Sequence, residues 1–473
     1  RTASASAAAM GKLQSSGHDA RKMSLYDGSM VRGSFSKENG TPSIITCAIY
    51  FDELPSREEI DKIVREKLLS FDSIAGVPRG GRWVAQPFAF EKHVFFKTVE
   101  SESDLEPLIE AVANTPLANQ ATGPWWELHA VSSKRPSDSD VLVVRFHHAV
   151  ADGIALMQVL SRVATRTDGS PLPPASFARP ARPARSLLSV IADVLRSVFK
   201  NLALPLSRFD SDLPINPPLD QRKSLTYSGS RKVLFVPRHS VNVIKKIKNA
   251  AGADVTINDV VFAALAGALR RYSREVSPAA ALDGQTQCRA LMPITFARSS
   301  DAALTNDWSI VSVPFPIGAA TPDERLRAAN REMKALKASV EPFVTRKIVD
   351  MNSLLPKVIA QQVACDLFSR HSMVFSNVPG PAGDVLIGGK HVTAIRPVYP
   401  NLITQVLCVS YAGSMWMTLA VDDKVMQRPE LISQYYIEEV RTLAAQYGVD
   451  PDDESEPVVR GDSLQQPNGL QMV

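Results

Sequence analysis

The sequence predicts an α/β protein of two units, each a mixed sheet with flanking helices, joined by a long proline-rich crossover linker. Three observations carry this. At 473 residues the chain is too long for one hydrophobic core, and two units of about 200 residues are the default. Strand-patterned and helix-patterned segments alternate irregularly in both halves, which suits sheets covered by helices. Between the halves, nine of the 33 prolines fall from Pro171 to Pro218, a linker signature. With 45% hydrophobic and 22% charged residues the chain can fold. A net charge of +4 excludes a globally basic nucleic-acid surface, but it hides an asymmetry. Arg179 to Lys248 holds fourteen basic and four acidic residues, so that stretch carries +10 and the remainder −6.

Residues 1–22, rich in Ala and Ser with four basic residues and one acid, read as a disordered or targeting tail. A first unit over 23–170 opens with the strand-like Ile44 to Phe51. Ser56 to Leu69 follows as an amphipathic helix with acids early and bases late, complementing its dipole. Arg82 to Phe96 reads as a hairpin region, and Glu127 to Val131 with Val141 to Phe146 as neighbouring strands; Gly153 to Val163 turns helical. The linker, 171–228, contains an amphipathic helix from Leu187 to Leu202. A second unit over 229–449 brings a strand at Val233 to Val236 and helices at Val241 to Ala251 and Asn258 to Tyr272. Strands at Arg289 to Pro293, Ser309 to Phe315 and Met373 to Ser376 and helices at Asp323 to Lys337 and Pro429 to Tyr447 complete it. Pro397 to Val421 is long enough to span a bilayer, but Pro400, Asn401, Gln405 and Gly413 favour two buried strands around a turn. The acidic stretch 450–473 reads as a disordered tail. Four scattered cysteines without a C-x-x-C or Cys/His cluster suit buried free thiols, and no metal site is expected.

Directly after the strand ending at Phe146 comes His147-His148-Ala149-Val150-Ala151-Asp152-Gly153. Adjacent histidines at a strand end point to opposite sides, so one of them can face a cleft. A neutral imidazole can take a hydroxyl proton as that oxygen attacks a carbonyl. Asp152 either orients the imidazole or holds the loop through a buried arginine, and Gly153 permits a tight backbone. With no G-x-S-x-G elbow and no obvious nucleophilic cysteine, direct transfer without a covalent enzyme intermediate is favoured.

The His-His-x-x-x-Asp-Gly motif resembles that of the CoA-dependent acyltransferase superfamily. Further landmarks are similar to the wax ester synthase/diacylglycerol acyltransferase family: Met23-Ser24-Leu25-Tyr26-Asp27, Pro124-Trp125-Trp126-Glu127, Asn258-Asp259-Val260-Val261 and Ser376-Asn377-Val378-Pro379-Gly380-Pro381. They stand in the family's order from about residue 23 to 448. The resemblance implies two chloramphenicol-acetyltransferase-like domains, His148 as general base, and transfer of a fatty acyl group from acyl-CoA to a fatty alcohol or diacylglycerol, with no cofactor since acyl-CoA is a substrate. It also implies that Asp152 is structural, with Arg289 as its candidate partner. Two departures bear on the acceptor pocket: Trp125 replaces the family's Leu, and Thr305-Asn306-Asp307 replaces its Gly-Asn.

The other residues keep two readings each. Asn258 and Asp259 serve either as a helix cap or on the catalytic face. Ser376 and Asn377 either serve the following turn or line the cleft as oxyanion donors. Trp126 is either core or a substrate contact. The helix from Leu187 to Leu202, with Arg179, Arg182 and Arg185 before it, either meets an anionic membrane or lipid-droplet surface or packs between the units. Alternatives in function are another alcohol or condensation-type acyltransferase of the superfamily, and a lipid-surface binding protein without catalysis.

Overall fold

The computed structural model describes residues 20–33, 43–173, 186–225, 229–278, 282–296 and 303–456. The first half runs β1 (Arg21–Lys22), α1 (Leu25–Val31), β2 (Ile44–Phe51), α2 (Arg57–Glu66), α3 (Asp72–Ala75), β3 (Gly76–Arg79), β4 (Arg82–Ala85), β5 (Val94–Val99), α4 (Leu105–Ala113), β6 (Trp126–Ser133), β7 (Asp140–His147), α5 (Gly153–Val163) and β8 (Ala164–Arg166). The second begins with α6 (Leu187–Ala203), α7 (Leu219–Ser224), β9 (Lys232–Phe235), β10 (His239–Ser240), α8 (Val241–Ala251), α9 (Ile257–Val276), β11 (Arg289–Thr295) and β12 (Trp308–Pro314). It ends with α10 (Pro322–Ala338), α11 (Glu341–Asn352), α12 (Lys357–Ser369), β13 (Met373–Pro379), β14 (Val385–Ile387), β15 (Lys390–Val398), β16 (Thr404–Tyr411), β17 (Ser414–Val421) and α13 (Leu431–Gln446).

Two seven-stranded mixed sheets organise these elements. The first has the order β5-β6-β7-β2-β15-β14-β8, with β5 and β6 parallel and β2 antiparallel to both β7 and β15. The second has the order β10-β17-β16-β13-β11-β12, with β9 also on β17; β13 lies parallel to β11 and β16. Helix α9 is buried along nearly its whole length from Asp259 to Ser273, because apolar and small residues surround it on every side and α10 and α13 cover what the sheet does not. Thr256 caps α9, and the Asp259 carboxylate accepts from the Thr256 backbone N–H.

The halves are interleaved, which corrects the expectation that 229–449 forms a unit by itself. β14 and β15 leave the second half and pair with β8 and β2 of the first sheet. Physically, β2 would otherwise present an edge beside the cleft, and the crossing strand covers it. Arg396 on β15 lies over Tyr50, Phe235 and Trp416 and so touches both halves.

Three other expectations change. The hairpin placed within Arg82 to Phe96 is instead β3–β4, turning at Gly80 and Gly81, whose φ of +55° and +73° suits a two-residue hairpin loop. The tail assigned to 1–22 is ordered at its end, since Arg21 and Lys22 pair with Trp83 and Arg82; residues 1–19 lie outside the described residues. The start of the acidic tail is held by charge, with Asp453 2.6 Å from Lys246 and Asp452 3.0 Å from Arg441; 457–473 lie outside the described residues. Pro397 to Val421 begins with the end of β15 and then forms β16 and β17 as an antiparallel pair, and among the described residues no helix is long and apolar enough to cross a membrane.

Candidate active site

Strand β7 ends at His147, paired with Ile44 of β2, and the next peptide turns toward the second half. His147 points inward. Its Nδ1 accepts from the Ala149 N–H at 3.1 Å, the Trp125 ring meets it edge-on at 4.6 Å, and burial pushes its pKa down to about 3. His147 is therefore a neutral, packed residue that shapes the turn.

His148 points the other way, between the rings of Trp308 and Tyr399 at 5.9 and 5.6 Å. Its backbone N–H donates to Ser43 O at 2.8 Å. Its Nδ1 stands 2.9 Å from Asn306 Oδ1. The Asn306 amide has only one workable orientation. Its Nδ2 donates to His148 O at 2.7 Å and to Asp27 Oδ1 at 3.0 Å, while its Oδ1 accepts from the Trp308 indole N–H at 3.2 Å. An oxygen facing His148 Nδ1 requires a proton on Nδ1, so the free base sits on Nε2. Burial lowers the His148 pKa, with its own carbonyl, Asp152 and Asn306 pulling the other way, so the imidazole is neutral at neutral pH.

Asp27, in α1, also accepts from the Asn306 backbone N–H at 2.9 Å and completes the capping box with Ser24. Burial raises its pKa against these donors. Neither Asn306 nor Asp27 stood among the expected site residues. The one signal for them was the Asn-Asp pair ahead of β12 and the amino-terminal Ser-x-x-Asp.

Asp152 holds the loop. Its Oδ1 accepts from the Ala155 N–H at 2.8 Å, capping α5, and its Oδ2 accepts from the Asp307 N–H at 3.0 Å. Arg289 is not its partner, which corrects the pairing expected from the sequence. The Arg289 Nε donates to Asp210 Oδ1 at 2.7 Å, its Nη2 reaches the carbonyls of Arg208 and Arg370, and its Nη1 reaches the Ser207 hydroxyl. A carboxylate at a helix cap and an arginine at the start of a distant strand cannot be matched from sequence, since only the packing decides which charges meet. Gly153 is the first residue of α5 and does not adopt a positive φ.

On the second half, Asn377 of β13 donates through Nδ2 to Asn258 Oδ1 at the start of α9. The structure thus joins two of the expected residues, and Ser376 is buried beside them. None of the three hydrogen-bonds to His148. Asp259 belongs to the cap, as one of its two readings held. Gly380 in the same segment admits no side chain, since a Cβ would stand 2.5 Å from Ser410 O. Trp126 is core and not a substrate contact: it is fully buried, its indole donates to Ile74 O at 2.8 Å, and Phe88 stacks on it. Its neighbour Glu127 anchors a buried pair with Arg145 at 2.6 Å.

Beside the histidine turn lies a cavity of about 130 Å³ between the first sheet and helices α2 and α5. Ile45, Val144, Leu156, Met157, Ile395 and Val409 give it a hydrocarbon wall. Gly153 and Val378 also line it, which brings it next to Asp152 and Asn377 in the chain. Cys47 is on its wall, with a thiol pushed up to about 12 by burial, so no thiolate is present there at neutral pH.

Comparison with known proteins adds an independent finding. Residues 57–261 match the family model described as the wax ester synthase/diacylglycerol acyltransferase catalytic domain, and 304–444 match that family's C-terminal domain. The chain is 26% identical over 334 residues to a putative diacylglycerol O-acyltransferase of Mycobacterium tuberculosis, across 63% of this chain and 62% of that protein. It is 25% identical over 426 residues to wax ester synthase/diacylglycerol acyltransferase 4 of Arabidopsis thaliana, across 77% of this chain and 78% of that protein. A solved wax ester synthase/diacylglycerol acyltransferase from Marinobacter aquaeolei superposes with a TM-score of 0.60 at 16% identity, covering 90% of this chain and 100% of that one.

Proposed function

The chain belongs to the wax ester synthase/diacylglycerol acyltransferase family, and on that premise we propose that it moves a fatty acyl group from acyl-CoA to the hydroxyl of a long-chain alcohol, of diacylglycerol, or of both. The observation that carries this reading is a neutral His148 with its base fixed on Nε2, next to a cavity walled by hydrocarbon.

In this scheme Nε2 of His148 takes the hydroxyl proton as the oxygen bonds to the thioester carbonyl carbon. The tetrahedral intermediate then collapses, the C–S bond breaks, and the departing sulfur takes the proton from the imidazolium. Asn377 or Ser376, which point to opposite faces of β13, is the proposed donor to the oxyanion. One N–H of the Asn377 amide is engaged by Asn258, which holds the amide and leaves its second N–H for the substrate. The acyl chain occupies the cavity beside α5. The high Cys47 pKa supports direct transfer over a cysteine acyl-enzyme. The scheme calls on no resident cofactor or metal, and acyl-CoA enters as substrate. Because the alcohol and product partition into lipid, the protein works as a peripheral protein at a membrane or lipid-droplet surface.

Labelled acyl-CoA offered with a panel of fatty alcohols and diacylglycerol tests the reading. His148→Ala is expected to lower transfer about 10²- to 10⁴-fold. Near-full transfer by that variant overturns His148 as the base, and no transfer by the parent protein to any alcohol overturns the activity and leaves a lipid-binding protein.

A further inference from the structure

Helix α6 is built inside out. Three of its polar residues face the protein: Asp193 is 7% exposed and its Oδ2 accepts from the Val340 N–H at 2.9 Å, Ser197 is buried, and Asn201 accepts from the Thr345 hydroxyl of α11 at 3.3 Å. Its apolar residues face outward, with Leu188 at 80%, Leu195 at 64% and Phe199 at 74% exposure. An amphipathic helix that packed between the halves would bury these side chains; this one shows them to solvent. The same face continues over Leu206 just beyond the helix and onto the turn between α11 and α12, where Leu354 and Val358 are 67% and 76% exposed. Exposed apolar side chains gathered on α6, Leu206 and the start of α12 are more than the scattered single hydrophobic residues usual on a soluble surface.

Charge identifies what covers it. Arg196 on α6, Lys347 on α11 and Lys357 on α12 are exposed around the apolar residues, and the sequence immediately before α6 carries Arg179, Arg182 and Arg185 with no acid between them. Hydrocarbon ringed by cations matches an anionic lipid interface, which offers acyl chains inside a shell of phosphate. The face also adjoins the catalytic loop. Helix α11, which bounds the apolar turn, also carries Arg346, which meets Asp307 at 3.2 Å and lies over the Tyr26 ring at 5.0 Å.

We propose that the face formed by α6, Leu206 and the α11–α12 turn is where the protein lies on an anionic lipid surface, its apolar side chains among the acyl chains and its cations against the headgroups. This rests on the acyltransfer reading for the reason a lipid surface is needed, and it names the surface that reading leaves open.

The test is flotation of the full chain with phosphatidylcholine vesicles, with and without phosphatidylserine, alongside transfer between a short-chain acyl-CoA and a short-chain alcohol in vesicle-free buffer. The triple variant Leu188→Ser/Leu195→Ser/Phe199→Ser and the double variant Leu354→Ser/Val358→Ser are each expected to lower vesicle partition by about tenfold or more while soluble transfer stays as in the parent. Salt is expected to weaken only the phosphatidylserine-dependent part. Parent protein that does not float, or variants that float like the parent, overturn the proposal. So do variants that split a parent dimer into monomers with flotation unchanged, which would make the face a contact between copies. A parent that floats but transfers no acyl group to any alcohol instead refutes the acyltransfer reading and leaves the face standing.

Discussion

At the scale of single residues, the decisive group is Asn306, which the sequence flagged only as a departure near the acceptor pocket and not as a partner of His148. Four hydrogen bonds spend the capacity of its amide, and that completeness is what sets the His148 tautomer. Asn306→Ala removes an acceptor that raises the His148 pKa. The acidic limb of the kcat profile is therefore expected to move to lower pH, with a rate loss of about 10- to 100-fold. Asn306→Asp puts a carboxylate against Nδ1 and is expected to move the limb to higher pH. Rate measurements across pH check both, and a pair of variants with unshifted profiles would reduce Asn306 to packing. His147, His148, Asp152 and Gly153 were legible because the motif is contiguous. Asn306, 158 residues from His148, was not, because a hydrogen-bond partner supplied by another sheet leaves no local pattern. The same reason explains the misassigned Arg289, whose guanidinium found Asp210.

At the scale of elements, pattern recovered most of the regular structure. The helices at Gly153–Val163 and Val241–Ala251 agree to the residue, since each begins at a clear cap or turn and keeps one apolar face. Helices α11 and α12 were not anticipated. Their outward apolar residues, including Leu354 and Val358, blur the periodicity that marks a core-facing stripe. Helix α6 was anticipated as an element, with its direction of facing left open between a lipid surface and the gap between units, because a moment has an axis but the sequence does not say which side holds water. Helix α5 gives the element-scale prediction. Leu156 lies on the cavity wall, so Leu156→Trp is expected to lower kcat/KM for long over short acyl-CoA donors by about tenfold or more. Competition between donors of different length measures this. A shift in alcohol preference instead would assign the cavity to the acceptor chain.

At the scale of the whole molecule, neutral buried histidines tie stability to pH. Burial holds His147 and His371 down to about 3, the latter against Leu367 O and Ser312 Oγ. Their folded pKa values lie below the unfolded value of about 6.5, so their contribution is fully present above that pH and is lost as pH falls. Between about pH 6.5 and 5 each costs on the order of 1–2 kcal/mol. Asp27 and Asp210, raised by burial, act in the opposite sense once the pH reaches their own folded range. The melting temperature is expected to drop by several degrees on going from neutral pH to about 5, and His371→Gln is expected to flatten that slope. A melting temperature indifferent to pH in this window would contradict the burial of both rings. By itself the sequence determined the α/β class, the two sheets and the histidine turn, because periodicity and a contiguous motif are local properties. The tertiary structure alone decided that β14 and β15 cross into the first sheet, that Asn306 and Asp27 meet His148, and that α6 turns its hydrocarbon outward. Each of these depends on which distant surfaces meet, and that is settled by packing free energy summed over the whole chain.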